Sequence, residues 1–235
     1  MLSHESKSLL TENYENPKNP SEVRETCFLA LERLKWVENE KKKVTVAFDN
    51  SSFLCVDPAP PFLNSNGLLQ GTTFEEVKYH CKNLFNQSND IFTRYRSLFT
   101  IRDKLCSGDL NKMKAAVDLI VNTLSKALHC PSSDLYRHEI AYVLGQILSI
   151  KDSVSLSEDN LNRLIIALKL SIEKSSEHGM VRHESAMALG EIENVHSKAC
   201  LKKYSTIENC AILSDSCIVA LNMVEDVDKW VAERF

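Results

Sequence analysis

Residues 137–147 read RHEIAYVLGQI, and residues 182–192 repeat the pattern as RHESAMALGEI. Apolar residues recur in both copies at the spacing of an amphipathic helix, as at Ala141, Leu144 and Ile147. The positions three and seven residues after each histidine share its helical face. They hold alanine and glycine, so that face carries one imidazole and little other bulk.

Each copy opens on a His-Glu pair, His138-Glu139 in the first and His183-Glu184 in the second. Each glutamate lies about 100° around the helix from its histidine, so both side chains border the same cleft. Two such helices side by side would present two imidazoles and two carboxylates to one space, a ligand set that suits non-haem iron. The alternative is ordinary polar residues on a repeat surface, and the identical frame of the two copies favours the metal.

The small residues of the two copies allow two interpretations. Ala141, Ala186, Gly145 and Gly190 either keep a cavity open beside the His-Glu dyads or let neighbouring helices pack closely. Because glycine inside a helix is about 1 kcal/mol less favourable than alanine, a compensating role is expected in either case.

The composition is that of an ordinary soluble globular protein, with 43% hydrophobic and 26% charged residues among 235. Only six glycines and six prolines favour helices over sheet, and a net charge of -4 speaks against a nucleic-acid partner. No stretch approaches the roughly 20 apolar residues of a membrane span, and the start does not resemble a signal peptide. The eight cysteines include no CxxC pair, which predicts reduced thiols in a cytosolic protein.

Helical periodicity continues on both sides of the two copies. Helices are predicted at residues 3–12, 22–40, 74–85, 91–106, 111–129, 135–148, 161–174, 180–193, 196–204 and 212–224. From residue 74 they form four pairs, and an arginine opens the second helix of three pairs, at Arg94, Arg137 and Arg182, with spacings of 43 and 45 residues. This period is typical of HEAT-type repeats, so the predicted fold is an all-α, HEAT-like helical-repeat solenoid. The arginines are expected to pair with carboxylates of neighbouring repeats rather than to act in catalysis.

Three regions are predicted along the chain. The prolines of the VDPAPP segment interrupt the helical pattern, and residues 41–72 are interpreted as a linker. Residues 73–235 are expected to form a C-terminal HEAT-repeat domain that carries both dyads. Its segment 215–221, DSCIVAL, is similar to segment 25–31, ETCFLAL. Residues 1–40 are therefore interpreted as the remnant of an N-terminal HEAT-repeat half.

Five segments carry a resemblance to a known enzyme family. The paired HExxxxLGxI frames and the proline-containing segment are similar to those of deoxyhypusine hydroxylase (deoxyhypusine monooxygenase), a HEAT-repeat di-iron family. The resemblance covers nearly the whole chain. The matching segments are VDPAPP at 56–61, YRSLF at 95–99, HC at 129–130, RHEIAYVLGQ at 137–146 and MVRHESAMALG at 180–190.

The resemblance implies a reaction, a cofactor and a partner. Enzymes of this type use O2 and two irons to hydroxylate the deoxyhypusine side chain of one cytoplasmic translation initiation factor, which gives hypusine. By position, His138, Glu139, His183 and Glu184 match iron-binding dyads of the second half of these enzymes. The substrate side chain is a long polyamine-like cation, and a carboxylate binds an ammonium group well. Glu139 is therefore also assigned a catalytic role in binding the substrate ammonium.

The family carries four His-Glu dyads, and this sequence departs from that pattern. His4-Glu5 is a further His-Glu pair, but it lacks the Leu-Gly frame and is not expected to bind metal. The chain is expected to resemble the C-terminal half of the enzymes and to supply ligands for about half of a two-iron site. A second copy of the chain, or a segment that it lacks, would supply the other half.

Two other functions fit the same helical repeats. One is a non-catalytic HEAT scaffold that binds a protein partner, and the other is a HEAT-like chromophore lyase. Bound iron with an O2-dependent visible absorption band would distinguish the hydroxylase from both, whereas a protein partner captured without bound metal would favour the scaffold.

Overall fold

The structure is a computed structural model that describes residues 4–40, 56–154, 156–192, 194–207 and 210–232. Ten helices lie within these residues, where the one β-type pairing is an isolated bridge between Leu63 and Leu69. The helices are α1 His4–Glu15, α2 Ser21–Glu40, α3 Phe74–Asn83, α4 Ile91–Cys106, α5 Lys114–Ala127, α6 Asp134–Ser149, α7 Glu158–Glu173, α8 Gly179–Gly190, α9 Val195–Tyr204 and α10 Ala211–Ala232. The predicted all-α, HEAT-like repeat fold is confirmed. Residues 41–55 of the predicted linker lie outside the described residues.

Polar side chains set where the second helices of the pairs begin. Asp90 caps α4 by accepting a backbone N–H bond at 2.7 Å, and Ser133 caps α6 in the same way at 3.1 Å. His178 caps α8, because its Nδ1 accepts from a backbone N–H two residues on at 3.3 Å. A cap satisfies donors that are left unpaired at a helix start. These three residues therefore fix where each helix begins, and so how many residues separate its start from each later side chain.

Residue contacts divide the chain into two compact units, residues 1–120 and 121–235, and α5 crosses the boundary. In the first unit α1 packs on α2, α3 packs on α4, and α2 also contacts α4. In the second unit α7 packs on α8 and α9 on α10, while α8 contacts both α6 and α10. The division of the sequence at residues 40 and 72 stays a prediction.

The non-helical residues 56–72 contact α4 at several points. Arg96 donates to the carbonyl of Pro60 at 3.1 Å. Arg102 is fully buried and donates to both carboxylate oxygens of Asp57, with Nη1 and Oδ1 2.8 Å apart. Two arginines of α4 therefore anchor the proline-containing segment.

The glycines of the repeated motif lie at close approaches between second helices. A Cβ atom added to Gly145 would meet the Cα atom of Ala188 at 3.2 Å, and one added to Gly190 would meet the Cβ atom of Ala220 at 3.0 Å. Both separations are shorter than ordinary van der Waals contact. Of the two interpretations of the small residues, the structure therefore supports close helix packing at the glycines.

The three recurrent arginines bind in two ways. Arg94 and Arg182 each donate to a backbone carbonyl ten residues earlier, at 2.7 Å and 3.0 Å respectively. Arg137 pairs with the carboxylate of Glu177 at 2.7 Å, in the loop before α8. The expected pairing with a carboxylate of a neighbouring repeat is therefore observed for Arg137.

The seven cysteines of the described residues are free thiols, as predicted. Burial raises the pKa of Cys106 and of Cys217 to about 12, so both are protonated at neutral pH. Among the helices of the described residues, none is long and apolar enough to cross a lipid bilayer.

Candidate metal centre

The two His-Glu dyads lie near the starts of α6 and α8. His138 follows its helix cap, Ser133, by five residues, and His183 follows its cap, His178, by the same number. Both dyads therefore lie the same number of residues from the start of their helix. Since α6 packs on α8, side chains at the same position along the two helices are able to meet.

One contact joins the histidine of the first dyad to the glutamate of the second. Nε2 of His138 lies 3.4 Å from Oε2 of Glu184, and the two side chains are 26% and 15% exposed. Atoms that share one transition-metal ion at about 2.1 Å each lie about 3 Å apart. The observed separation is therefore close to that of two ligands of one ion.

The surroundings of His138 favour a positive charge. Burial opposes protonation of the ring, but the hydrogen bond to Glu184 and the charges of Glu184 and Glu139 outweigh it and raise the pKa of His138. Glu139 is 7% exposed, so water screens its charge only weakly. The field that favours an imidazolium at this position favours a bound cation for the same reason.

The Nδ1 atom of His138 is buried and has no hydrogen-bond partner among the described residues. An unpaired buried polar atom is unfavourable by about 1–3 kcal/mol, and in native structures it often marks a missing ligand, ion or water. The unpaired atom is Nδ1, so a metal-binding role for His138 rests on Nε2 and on the carboxylate of Glu184 that it faces.

His183 faces the other neighbour of α8. Its Nδ1 lies 2.7 Å from Oγ of Ser216, which belongs to α10 and is 5% exposed. This contact leaves Nε2 as the ring atom for a ligand. The sequence pattern matched Ser216 with Thr26 but did not suggest a role at the dyads, because the contact joins residues 33 positions apart.

Glu191 is a further carboxylate that sequence reasoning did not select. It follows Glu184 by seven residues and therefore shares its helical face. Burial and the charge of Glu184 raise the pKa of Glu191, and its Cγ lies 4.0 Å from where a Cβ of Gly145 would stand. The helical spacing was the signal that could have found it.

The predicted site residues fall into two groups. The first consists of His138, whose ring contacts Glu184, together with Glu139, whose charge helps to raise the pKa of His138. The second consists of His183, which α10 holds through its serine. Two buried or half-buried carboxylates beside an imidazole can bind a transition-metal cation.

Known enzymes are similar to this chain over most of its length. The deoxyhypusine hydroxylases of Aspergillus clavatus and Danio rerio are 34% and 33% identical to it over 212 and 204 residues, which are 90% and 87% of the chain. The solved structure of human deoxyhypusine hydroxylase in complex with glycerol matches 95% of the chain at 28% identity, with a TM-score of 0.72. The chain is a relative of deoxyhypusine hydroxylase. The resemblance inferred from the motifs is therefore confirmed.

The match takes in only part of each relative. It covers 56% of the Aspergillus clavatus deoxyhypusine hydroxylase, 55% of that of Danio rerio and 64% of the human chain. The chain thus spans about half the length of the curated relatives it matches. No protein-family model matches it.

Proposed function

We propose that this chain supplies about half of an iron site for the O2-dependent hydroxylation of the deoxyhypusine side chain of a translation initiation factor to hypusine. The observation that carries the proposal is the 3.4 Å approach of His138 Nε2 to Glu184 Oε2, since the two residues come from consecutive copies of one motif. The similar enzymes named deoxyhypusine hydroxylase support it. A cytoplasmic location suits the free thiols.

The proposed protein ligands are His138, His183, Glu184 and Glu139. Bound iron would supply the reduction of O2, which amino-acid side chains do not perform. The partial burial of the dyads keeps water away from the carboxylates and so strengthens their attraction for a cation. The ligands lie on α6 and α8, and these two helices approach each other closely at Gly145.

Glu139 has a second proposed role in binding the ammonium group of the substrate. A carboxylate makes a strong charge-assisted hydrogen bond to an alkylammonium group, and the low exposure of Glu139 shields such a bond from water. Glu139→Gln keeps the shape and removes the charge. It should weaken substrate binding more than iron binding, whereas equal loss of both would reassign Glu139 as an ordinary ligand.

A second copy of this chain is the proposed source of the remaining ligands, because two dyads provide about half of the family's four. The measurement is iron content together with the molecular mass in solution. Two irons per pair of chains would support a site completed between copies. Iron bound to single chains in full amount would contradict it.

The main test is the iron content of the purified protein and of two variants. His138→Ala/His183→Ala should lose the iron, and His196→Ala, which removes an exposed histidine of α9, should retain it. Turnover of a deoxyhypusine-bearing factor, measured by mass spectrometry, should follow the iron content. Unchanged iron in the double variant would contradict the site, and an iron-free protein that captures a partner would favour a scaffold.

A further inference from the structure

Ser216 makes two polar contacts through one hydroxyl oxygen. Its Oγ lies 2.7 Å from Nδ1 of His183 and also contacts the carbonyl oxygen of Ile212, one turn earlier in α10. The side chain is buried, so water does not compete for either contact. The chemistry of these two partners decides where the hydroxyl proton lies.

Counting protons determines the direction of both hydrogen bonds. A serine hydroxyl has one proton to donate and two lone pairs that accept. The carbonyl of Ile212 can only accept, so the hydroxyl proton of Ser216 points to it. The bond to His183 must then run from the ring to Ser216, which requires a proton on Nδ1. In the neutral ring this leaves Nε2 with its lone pair.

We propose that Ser216 is a positioning residue that holds His183 in the Nδ1–H tautomer, with the Nε2 lone pair presented to the metal. The inference rests on the proposed function, in which His183 is a ligand. Metal-binding histidines commonly donate their second ring N–H to a fixed acceptor, which sets the tautomer and the ring orientation. Ser216 supplies that acceptor from α10, whose distance from α8 is set by Gly190 against Ala220.

The matching residue in α2 shows that a threonine hydroxyl can make the same bond to the preceding turn. Thr26 corresponds to Ser216 in the two similar segments 25–31 and 215–221. Its Oγ1 donates to the carbonyl of Glu22, one turn earlier, at 2.7 Å. Ser216→Thr should therefore keep the hydroxyl and its orientation, whereas Ser216→Ala removes the acceptor and leaves the ring free to change tautomer.

The test is nitrogen-15 NMR of the histidine rings in the metal-free protein, with His183 assigned from the His183→Asn variant. The wild type and Ser216→Thr should show His183 protonated on Nδ1. Ser216→Ala should shift the population toward the Nε2–H form and weaken binding of ferrous iron, measured without O2, by about 10–100-fold. Ser214→Ala is the matched control, since it removes a hydroxyl of the same helix that donates to the carbonyl of Ser205 instead. It should change neither reading.

Three results would overturn the inference: an Nε2–H ring in the metal-free wild type, an unchanged tautomer in Ser216→Ala, or loss of the tautomer in Ser216→Thr as well. Ser216→Thr guards against a folding defect, because loss of the tautomer in this variant as well as in Ser216→Ala would show that the hydroxyl is not what holds the ring. A wild-type protein that binds no iron would contradict the proposed function. The spectra of the metal-free protein would still test the tautomer of His183, so failure of the proposed function and failure of this inference are distinguishable.

Discussion

The helix pairs α3–α4 and α7–α8 share their anchoring contacts. In each pair an arginine, Arg94 or Arg182, donates to a carbonyl ten residues earlier. Three residues further on, Ser97 or Ser185 bonds a polar side chain fourteen residues earlier, at 3.2 Å and 2.9 Å. The cap of α4 also precedes its dyad position by five residues, as in α8.

The side chains at the dyad positions differ completely between the pairs. Where α8 has its His-Glu dyad, α4 has Tyr95-Arg96, and where α8 has Gly190, α4 has Arg102. Tyr95 is fully buried, while the two arginines hold the extended segment that contains Asp57. The equivalent positions thus bind the extended segment in α4 and hold the proposed metal ligands in α8.

This contrast teaches that one helical frame supports either a docked segment or a polar site. The contacts that align the helices do not involve the dyad positions, so those positions are free to vary. The residue seven positions after the dyad histidine differs in role, because Gly190 allows the close approach of α10 whereas Arg102 binds the extended segment.

Arg102→Ala should be the most destabilising change in the α3–α4 pair. The guanidinium is fully buried between Asp57 and Asp103, with Nη1 2.8 Å from Oδ1 of Asp57 and Nε 2.8 Å from Oδ1 of Asp103. Although burial opposes the charge, these bonds raise the pKa of Arg102. Removing one partner of a buried pair leaves an uncompensated charge, which costs about 3–5 kcal/mol. The free energy of unfolding in urea would measure the loss.

Lys78→Ala is the control for Arg102→Ala. It removes an exposed partner of Glu75, at 3.4 Å, from the neighbouring helix α3. Exposed pairs contribute roughly 0–1 kcal/mol, so this variant should unfold at nearly the wild-type urea concentration. Equal effects of the two substitutions would mean that the buried pair is not the anchor of the extended segment.

Gly190→Ala tests the feature that α8 has at the position of Arg102, which is the close approach of α8 to α10. A Cβ there would lie 3.1 Å from the Cα and the carbonyl oxygen of Ala220, which are backbone atoms that cannot rotate away. Overpacking costs about 1–3 kcal/mol, against a gain of about 1 kcal/mol from helix propensity. We expect a net loss of about 1 kcal/mol, read from thermal unfolding.

Gly179→Ala is the matched control at the start of the same helix. There the nearest atom to an added Cβ is Cδ1 of Ile212 at 4.0 Å, an ordinary contact. The substitution should stabilise the protein by about 0.4–1 kcal/mol, because it restricts the unfolded chain. A stabilising effect at both glycines would show that the α8–α10 contact tolerates a larger residue.

Local sequence patterns predicted the helices well, whereas the role of the dyads stays a prediction. The helix α4 runs from Ile91 to Cys106 as predicted, since Asp90 caps it and apolar residues keep a helical period. The start of α5 was predicted at residue 111 but lies at Lys114, because residues 108–113 form turn-type hydrogen bonds instead. Of the five segments that carried the resemblance to deoxyhypusine hydroxylase, YRSLF, RHEIAYVLGQ and MVRHESAMALG lie wholly within single helices, whereas VDPAPP is non-helical and HC follows the end of α5.

Contacts between distant segments could not be read from the sequence. The bond of Arg102 to Asp57 joins residues 45 positions apart, and that of His183 to Ser216 joins residues 33 apart. Neither pair has a periodic signal, because each depends on the final packing of two elements. The cross-pairing of His138 with Glu184 follows from the approach of α6 to α8, whereas the sequence alone indicated only that both dyads face one space.

At pH 6, His80→Leu gives the smallest expected difference. It imports the residue of the other pair, since the counterpart of His80 in α7 is Leu168. Burial lowers the pKa of His80 to about 4, with a further decrease from Arg96 and an opposing effect of Glu76. In the unfolded chain a histidine titrates near 6.5. Between these values only the unfolded chain takes up the proton, so wild-type stability falls as the pH is lowered from about 6.5 to about 4.

The leucine variant removes this proton uptake and should show a shallower decline over the same interval. The two proteins should differ in this pH-dependent part by no more than about 1 kcal/mol at pH 6, and the difference should grow toward pH 4. Urea midpoints measured across that range isolate it, because the carboxylates common to both proteins cancel in the comparison. Parallel curves for the two proteins would mean that His80 has the same pKa in the folded protein as in the unfolded chain. The α3–α4 pair would then differ from α7–α8 in its packing but not in its response to acid.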